Sequence, residues 1–170
     1  MTKKKRLQLG CGKKPLTDYI NHDLVNYEWV DVKHNLDIYP WPFEDNQFEE
    51  VYANSVIEHV EDLLACFGEL HRILKPNGIF KGGVPWYNYG GAFGDPTHKQ
   101  FFTKTTFDYL KSTSEYSYTE TTGVWEINKL EFTPTKYGRI FPFKQKLLPK
   151  IGGVLGNIVH KINFELKVIK

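Results

Sequence analysis

At 170 residues, 41% of them hydrophobic, the chain is long enough to bury one sizeable core and too short for two ordinary domains. It reads as a single domain, 1–170, with a core over 7–110 and a carboxyl-terminal part over 111–170 that carries strands and an apolar, basic segment. The net charge of +2 and two cysteines, Cys11 and Cys66, exclude a disulfide scaffold and point to a reducing, cytoplasmic setting.

The basic start Lys3-Lys4-Lys5-Arg6 runs into a strand pattern and not into the apolar stretch of a signal peptide, and no apolar run has the length of a membrane span. Arg6-Leu7-Gln8-Leu9 is a short strand ending in Gly10-Cys11-Gly12. A glycine turn at the carboxyl end of a strand lets backbone approach a ligand closely, which makes it a binding hypothesis. The stretch from Lys13 to Tyr19 is too short for a crossover helix, so the chain should reach the next strand, Ile20-Asn21-His22-Asp23, through a loop.

Trp29 to His34 alternates as a strand does, and Tyr39-Pro40-Trp41-Pro42-Phe43 must be a packed loop because its prolines remove backbone donors. Phe48 to Asn54 is the next strand. Ser55-Val56-Ile57-Glu58 has capping-box spacing, and apolar residues from Val56 to Leu74 predict a helix broken near Glu61. Pro76-Asn77-Gly78 terminates it, and Ile79 to Pro85 is a further strand. Strands separated by crossovers predict an α/β fold: a Rossmann-like, doubly wound, mostly parallel sheet covered on both faces, with binding residues beyond the carboxyl ends of the strands.

Trp86 to Gln100, aromatic and glycine-rich, suits a mobile cover over a pocket. A helix is expected from Lys104 to Lys111 and turns from Ser112 to Thr122. Strands are expected over Val124–Phe132 and Phe164–Ile169, antiparallel toward the carboxyl terminus. Leu147 to Ile162 is apolar among Lys144, Lys146, Lys150 and Lys161, a pattern that closes a core or, alternatively, makes peripheral contact with an anionic membrane. Lysine and arginine are absent between Lys33 and Arg72, where acids are frequent. This acidic middle argues against nucleic acid as a partner. The sequence leaves the oligomeric state undetermined.

Taken together, Leu-Gly-Cys-Gly (9–12), Asn-His-Asp (21–23), Trp-Pro-Phe-Glu-Asp-Asn-Gln-Phe-Glu-Glu-Val-Tyr-Ala (41–53), Ile-Glu-His-Val (57–60), Glu-Leu-His-Arg-Ile-Leu-Lys-Pro-Asn-Gly (69–78), Asp-Pro-Thr-His (95–98) and Phe-Phe-Thr (101–103) resemble the class I S-adenosylmethionine-dependent methyltransferases, in particular a small group with a shortened first crossover. The resemblance implies S-adenosylmethionine as cofactor. It places Gly10, Cys11 and Gly12 against the methionine part, Asp23 on the ribose hydroxyls, Asn35 and Leu36 at the adenine edge, and Asn54, Ser55 and His59 beside the cofactor. Lys14 stands where the usual loop has a third glycine, Gln8 where many members carry an acid, and Asn35 where relatives often have Asp.

Methyl transfer to a hydroxyl needs alignment and a base. Candidate bases are His98 with Asp95, Glu58 and His59; Glu58 alternatively caps the helix and His59 packs between elements. His98 is preferred because imidazole titrates near neutrality. The acceptor is read as a small molecule, a glycan or a lipid-linked group. His22, Asp23, His34, Asp37 and His98 lack a metal-binding spacing, so no metal is expected. A noncatalytic cofactor-binding module and a metal-dependent hydrolase stand as alternatives.

Overall fold

Alternation along the strands decides which side of the sheet faces inward. The computed structural model describes residues 5–113, 117–140 and 146–170. Lys3, Lys4 and Lys144 of the basic ends, and residues 114–116 of the expected turn region, lie outside the described residues. In chain order the elements are β1 (Arg6–Leu9), β2 (Ile20–Asp23), β3 (Val32–Lys33), β4 (Phe48–Asn54), a 3-10 turn (Ile57–His59), α1 (Leu63–Ile73), β5 (Leu74–Pro85), α2 (Gly90–Gly94), α3 (Lys104–Asp108), α4 (Thr119–Thr122), β6 (Val124–Pro134), a second 3-10 turn (Gly138–Ile140), α5 (Leu148–Val154) and β7 (Val159–Ile169).

The seven strands form one sheet in the order β3-β2-β1-β4-β5-β7-β6. β1 to β5 run parallel, and β7 is antiparallel to both β5 and β6. This is the mostly parallel, Rossmann-like sheet with antiparallel pairing toward the carboxyl terminus that the sequence predicts. No helix among the described residues is long and apolar enough to cross a membrane.

Leu7 and Leu9 lie beside Val51 and Ala53 in the β1–β4 register, and Phe80, Val84, Ile162, Phe164, Leu166 and Val168 continue the buried row. α1 lays Cys66, Phe67, Leu70 and Ile73 on this face. The Phe67 ring meets Phe80 edge-on at 6.0 Å and Trp125 at 5.8 Å. Phe107 of α3 packs 5.3 Å from Phe164. Each such side chain contributes about 1.5–3 kcal/mol on burial. Burial pushes the Cys66 and Cys11 thiols up, so both stay protonated and inert as nucleophiles.

The opposite face is polar. Glu50 accepts from the Tyr19 hydroxyl and pairs with Lys81, and Lys167 pairs with Glu126. Coverage is therefore uneven where a doubly wound sheet predicts helices on both sides. Over β1 and β2 the loop from Gly10 to Tyr19 occupies the polar side, held by two buried amides. Gln8 Oε1 accepts from Leu16 N at 2.7 Å and its Nε2 donates to Lys14 O at 3.1 Å. Asn21 Oδ1 accepts from Leu16 N at 3.1 Å, and its Nδ2 donates to Leu16 O at 3.3 Å.

Several expected boundaries move. The capping box at Ser55–Glu58 does not form: Ser55 adopts φ +57°, and the Glu58 side chain turns into the interior. The helix proper starts after the break, where Asp62 Oδ1 accepts from Ala65 N at 2.9 Å. β3 has two residues because Asp31 caps the neighbouring strand instead, its Oδ2 accepting from Asn21 N at 2.8 Å. The helix from Lys104 ends at Asp108, and the apolar run splits into α5 and the start of β7. The proline-bounded loop is packed as expected, clamped by Arg72, which donates to the carbonyls of Trp41 at 3.1 Å and Phe43 at 2.8 Å while paired with Glu69.

Replacing Gln8 by Leu keeps the volume but takes the side-chain donor from Lys14 O and leaves Leu16 N only its longer bond to Asn21 Oδ1, so a loss of about 1–3 kcal/mol is expected in urea unfolding. Amide exchange should accelerate over residues 13–17 in the same variant, and unchanged exchange there would remove Gln8 as the loop's fastener.

Candidate active site

The turn after β1 is built from two glycines at positive φ, +57° at Gly10 and +51° at Gly12. A Cβ at Gly10 would lie 2.5 Å from Val56 Cγ2, so packing as well as backbone conformation requires glycine there. The turn is fastened on both sides of Gly12. Its N–H donates to Asp23 Oδ2 at 2.7 Å, and its carbonyl accepts from Trp29 Nε1 at 2.8 Å. Asp23 Oδ1 accepts from Val25 N at 2.9 Å. Asp23 thus holds the strand end with one lone pair on each oxygen and retains one on each for a ligand.

A cavity of about 590 Å³ opens beyond the carboxyl ends of β1, β2 and β4. Of the residues selected from sequence, Gly10, Asp23, Asn35, Leu36, Ser55 and His59 line it. Cys11, Gly12, Asn54, Asp95 and His98 do not: Cys11 is buried, and Asn54 reaches across the sheet to accept from Lys161 Nζ. His34, Asp37, Thr97 and Lys99 line the cleft without having been selected as cofactor-binding or catalytic residues. Asp37 was signalled by Asn35, whose Oδ1 accepts from Asp37 N at 3.1 Å. Thr97 and Lys99 were signalled by flanking His98. A second cavity, about 660 Å³ beside Trp86, Phe132 and α5, is lined by Lys104, Lys146 and Lys150 but by no carboxylate or imidazole.

The stretch expected to cover the pocket divides in two. Trp86 Nε1 donates to Gly152 O at 3.3 Å and Asn157 N to Asn88 O at 2.9 Å, which ties its first part to α5 and the approach to β7. Its second part reaches the cleft through Pro96, Thr97 and Lys99. Thr97 Oγ1 donates to Asp95 Oδ1 at 2.6 Å, His59 Nδ1 lies 2.9 Å from Thr97 Oγ1, and the His59 and His98 rings are 4.7 Å apart. Lys99 N and Gln100 N donate to Glu58 O at 2.8 and 3.0 Å. Burial pushes the Glu58 carboxyl up, with His59, His98 and Lys161 drawing it down. The metal-ligand set weighed from sequence does not assemble: of its members only His98 belongs to a converging group among the described residues, with Glu58 and His59.

His22, at the back of the cleft and 1% exposed, has its Nε2 3.0 Å from His34 O. Burial lowers its pKa from 6.5 to about 4, so the folded protein holds it neutral where the unfolded chain would protonate it. Its contribution is complete above pH 6.5 and is lost as pH falls toward 4, amounting to up to about 3 kcal/mol. His71 shifts in the same direction, also by burial. Urea unfolding across this window should show stability falling with acidification and a shallower slope in His22→Gln. Equal slopes would place the buried charge cost elsewhere.

Residues 25–81 match a family model described as a methyltransferase domain. The chain is 33% identical over 103 residues to the sterol 24-C-methyltransferase erg6 of Schizosaccharomyces pombe, covering 47% of this chain and 27% of that protein. It is 27% identical over 95 residues to the human mitochondrial arginine-hydroxylase NDUFAF5, covering 46% of this chain and 28% of that protein. The matched stretch therefore spans little more than a quarter of these two relatives and as little as 11% of another, a sterol 24-C-methyltransferase of Neurospora crassa. A solved S-adenosylmethionine-dependent methyltransferase of Archaeoglobus fulgidus superposes with a TM-score of 0.66 at 16% identity, over 95% of this chain and 85% of that one. The domain match and the shared fold bear out the resemblance to class I S-adenosylmethionine-dependent methyltransferases.

Proposed function

We propose that the chain is an S-adenosylmethionine-dependent methyltransferase whose cofactor occupies the cleft between the Gly10–Gly12 turn and the Asp95–Lys99 segment. The observation that carries this reading is Asp23: a carboxylate that fixes the glycine turn through Gly12 N while keeping acceptor capacity at the cleft suits a ribose diol. The cleft volume of about 590 Å³ falls within the usual range for such ligands. Leu36, Val56 and Val60 supply apolar walls for a purine beside Asn35. Gly10 presents backbone to the amino-acid end, with Cys11 and Gly12 shaping the turn behind it, and Ser55 and His59 border the cofactor from the segment that follows β4.

When bound, the cofactor supplies an electrophilic methyl group on a sulfonium. The chain's own task is to hold the acceptor in line, exclude water and take a proton where the acceptor is a hydroxyl. His98, set behind the cleft lining with its ring 4.7 Å from that of the cleft-lining His59, is the preferred proton acceptor. Ala92 O accepts from its Nδ1 at 2.9 Å, which leaves Nε2 as the basic nitrogen, and Asp95 Oδ2 lies 3.9 Å from that nitrogen, placed to stabilise an imidazolium. The acceptor is a small molecule, a glycan or a lipid-linked group; the sterol specificity named for one relative favours an apolar one.

A cofactor-binding module without turnover is the second reading. It is favoured by Gln8, which replaces an acid of many relatives and is committed to the loop on the polar face of the sheet. Calorimetry with S-adenosylmethionine tests both readings at once. Binding is expected, and Asp23→Asn should weaken it by about 1.5–3 kcal/mol, the range for hydrogen bonds to a charged group. Equal affinity in that variant would remove Asp23 from the ribose. Binding without transfer to any acceptor in labelled-methyl assays would leave the second reading standing.

For a lipid-linked acceptor the approach surface would be α5 and its flanks. Val154 is 84% exposed and Leu155 and Leu147 are also exposed, with Lys146 and Lys150 alongside. Co-sedimentation with anionic vesicles that weakens with salt is expected; no sedimentation at low salt would confine these residues to packing.

A further inference from the structure

Glu58 is the least accommodated charged side chain in the described residues. It is fully buried, yet neither carboxylate oxygen has a hydrogen-bond partner, and a carboxylate so placed costs several kcal/mol unless it takes up a proton or a cation or donors meet it. Lys161 is near, but its Nζ donates to Asn54 Oδ1. What does converge on Glu58 is a pair of histidines, with one ligand-capable atom from each of Glu58, His59 and His98 lying within 4.8 Å of the others.

The hydrogen bonds of the two rings fix which nitrogen is available. His98 Nδ1 lies 2.9 Å from Ala92 O. A carbonyl only accepts, so Nδ1 carries the proton and Nε2 keeps its lone pair. His59 Nδ1 lies 3.3 Å from Thr97 O and 2.9 Å from Thr97 Oγ1. That hydroxyl already spends its proton on Asp95 Oδ1 at 2.6 Å, so it too accepts from the ring. Both imidazoles therefore have Nδ1–H oriented by outer partners and Nε2 unprotonated, the arrangement that positions a histidine for metal ligation.

From these residues we infer that Glu58, His59 and His98 bind one divalent transition-metal ion, of the borderline type that takes two imidazoles and a carboxylate, zinc being the reference case. The three ligands come from the 3-10 turn after β4 and from the cleft's covering segment, so the ion would staple the cover to the sheet. His98 and Glu58 shield it, while His59 lines the cleft, which leaves a coordination position on the cleft side. Binding itself does not rest on the methyltransferase reading. If both hold, the ion would acidify a coordinated acceptor hydroxyl so that its proton is released to solvent water, and the His98 lone pair, committed to the metal, would no longer act as the base.

The test uses the whole chain, stripped with a chelator and then titrated with zinc, with bound metal counted by plasma mass spectrometry and affinity read by calorimetry. One zinc per chain is expected. Cobalt(II) in its place should give visible absorption bands of a low-coordinate nitrogen and oxygen site. Glu58→Gln, which preserves size, and His59→Asn, at a half-buried position, should each weaken zinc binding by at least about 100-fold, beyond the effect of losing an outer-shell partner. Circular dichroism of each variant checks that it folds. Substoichiometric zinc in the folded wild type, or wild-type affinity in either folded variant, overturns the site. S-adenosylmethionine affinity measured on the stripped chain is independent, so loss of the metal site and loss of the cofactor reading are separable outcomes.

Discussion

A parallel strand pair joined by a short loop is the constraint on which the amino-terminal half depends. Between Leu9 and Ile20 the chain must return the length of the strand without a helix to cover the sheet or to satisfy the backbone it leaves behind. Gln8 and Asn21 meet that need from inside the strands, their amides completing the hydrogen bonds of Leu16 and Lys14. The same economy fixes the binding turn. With no helix behind it, Gly12 is held by the Asp23 carboxylate and the Trp29 indole, so the residue best placed for a ligand is also a structural tie.

The cleft sits where strand order reverses, β2 on one side of β1 and β4 on the other, the position at which open parallel sheets leave a crevice. Its floor is backbone and glycine, its sides are apolar, and its far wall comes from the segment after β5. The polar groups of that wall are tied to one another and to the 3-10 turn after β4: Asp95 to Thr97, Thr97 to His59, and the backbone of Lys99 and Gln100 to Glu58. In such a wall the contacts are coupled, because displacing Thr97 would break its bonds to His59 and Asp95 together.

Much of this was legible in the sequence, and the failures have local causes. β1, β2 and β4 were bounded correctly because glycine, aspartate and asparagine punctuate their ends, and the sites at those ends followed from sheet geometry alone. The helix break near Glu61 was visible in the apolar spacing, but its cap was misplaced. Ser55 and Glu58 have the spacing of a box, yet Ser55 adopts positive φ and Asp62 takes the role. Periodicity could not show that Glu58 would be buried beside two histidines, since His98 is brought to it by a long connection. β3 read longer than it is because Asp31 spends its carboxylate on Asn21, a contact that alternation does not encode. The apolar run before β7 hid a helix and a strand start because both are buried in part and both are rich in aliphatic residues.

The place of β7 between β5 and β6 bears on how the sheet is made. Ile79 pairs with Lys167 and Phe80 with Leu166, so β5, drawn up early beside β4, holds a long open edge until a much later part of the chain has been synthesised. β6 emerges before β7 and finds no neighbour to pair with, its Trp125 and Phe132 needing the incoming strand to bury them. Contacts of such sequence separation form slowly, and an unpaired aromatic edge is what other chains add to. Until β7 docks, the sheet is open along β5, and that edge is the place at which a second unfinished chain could add.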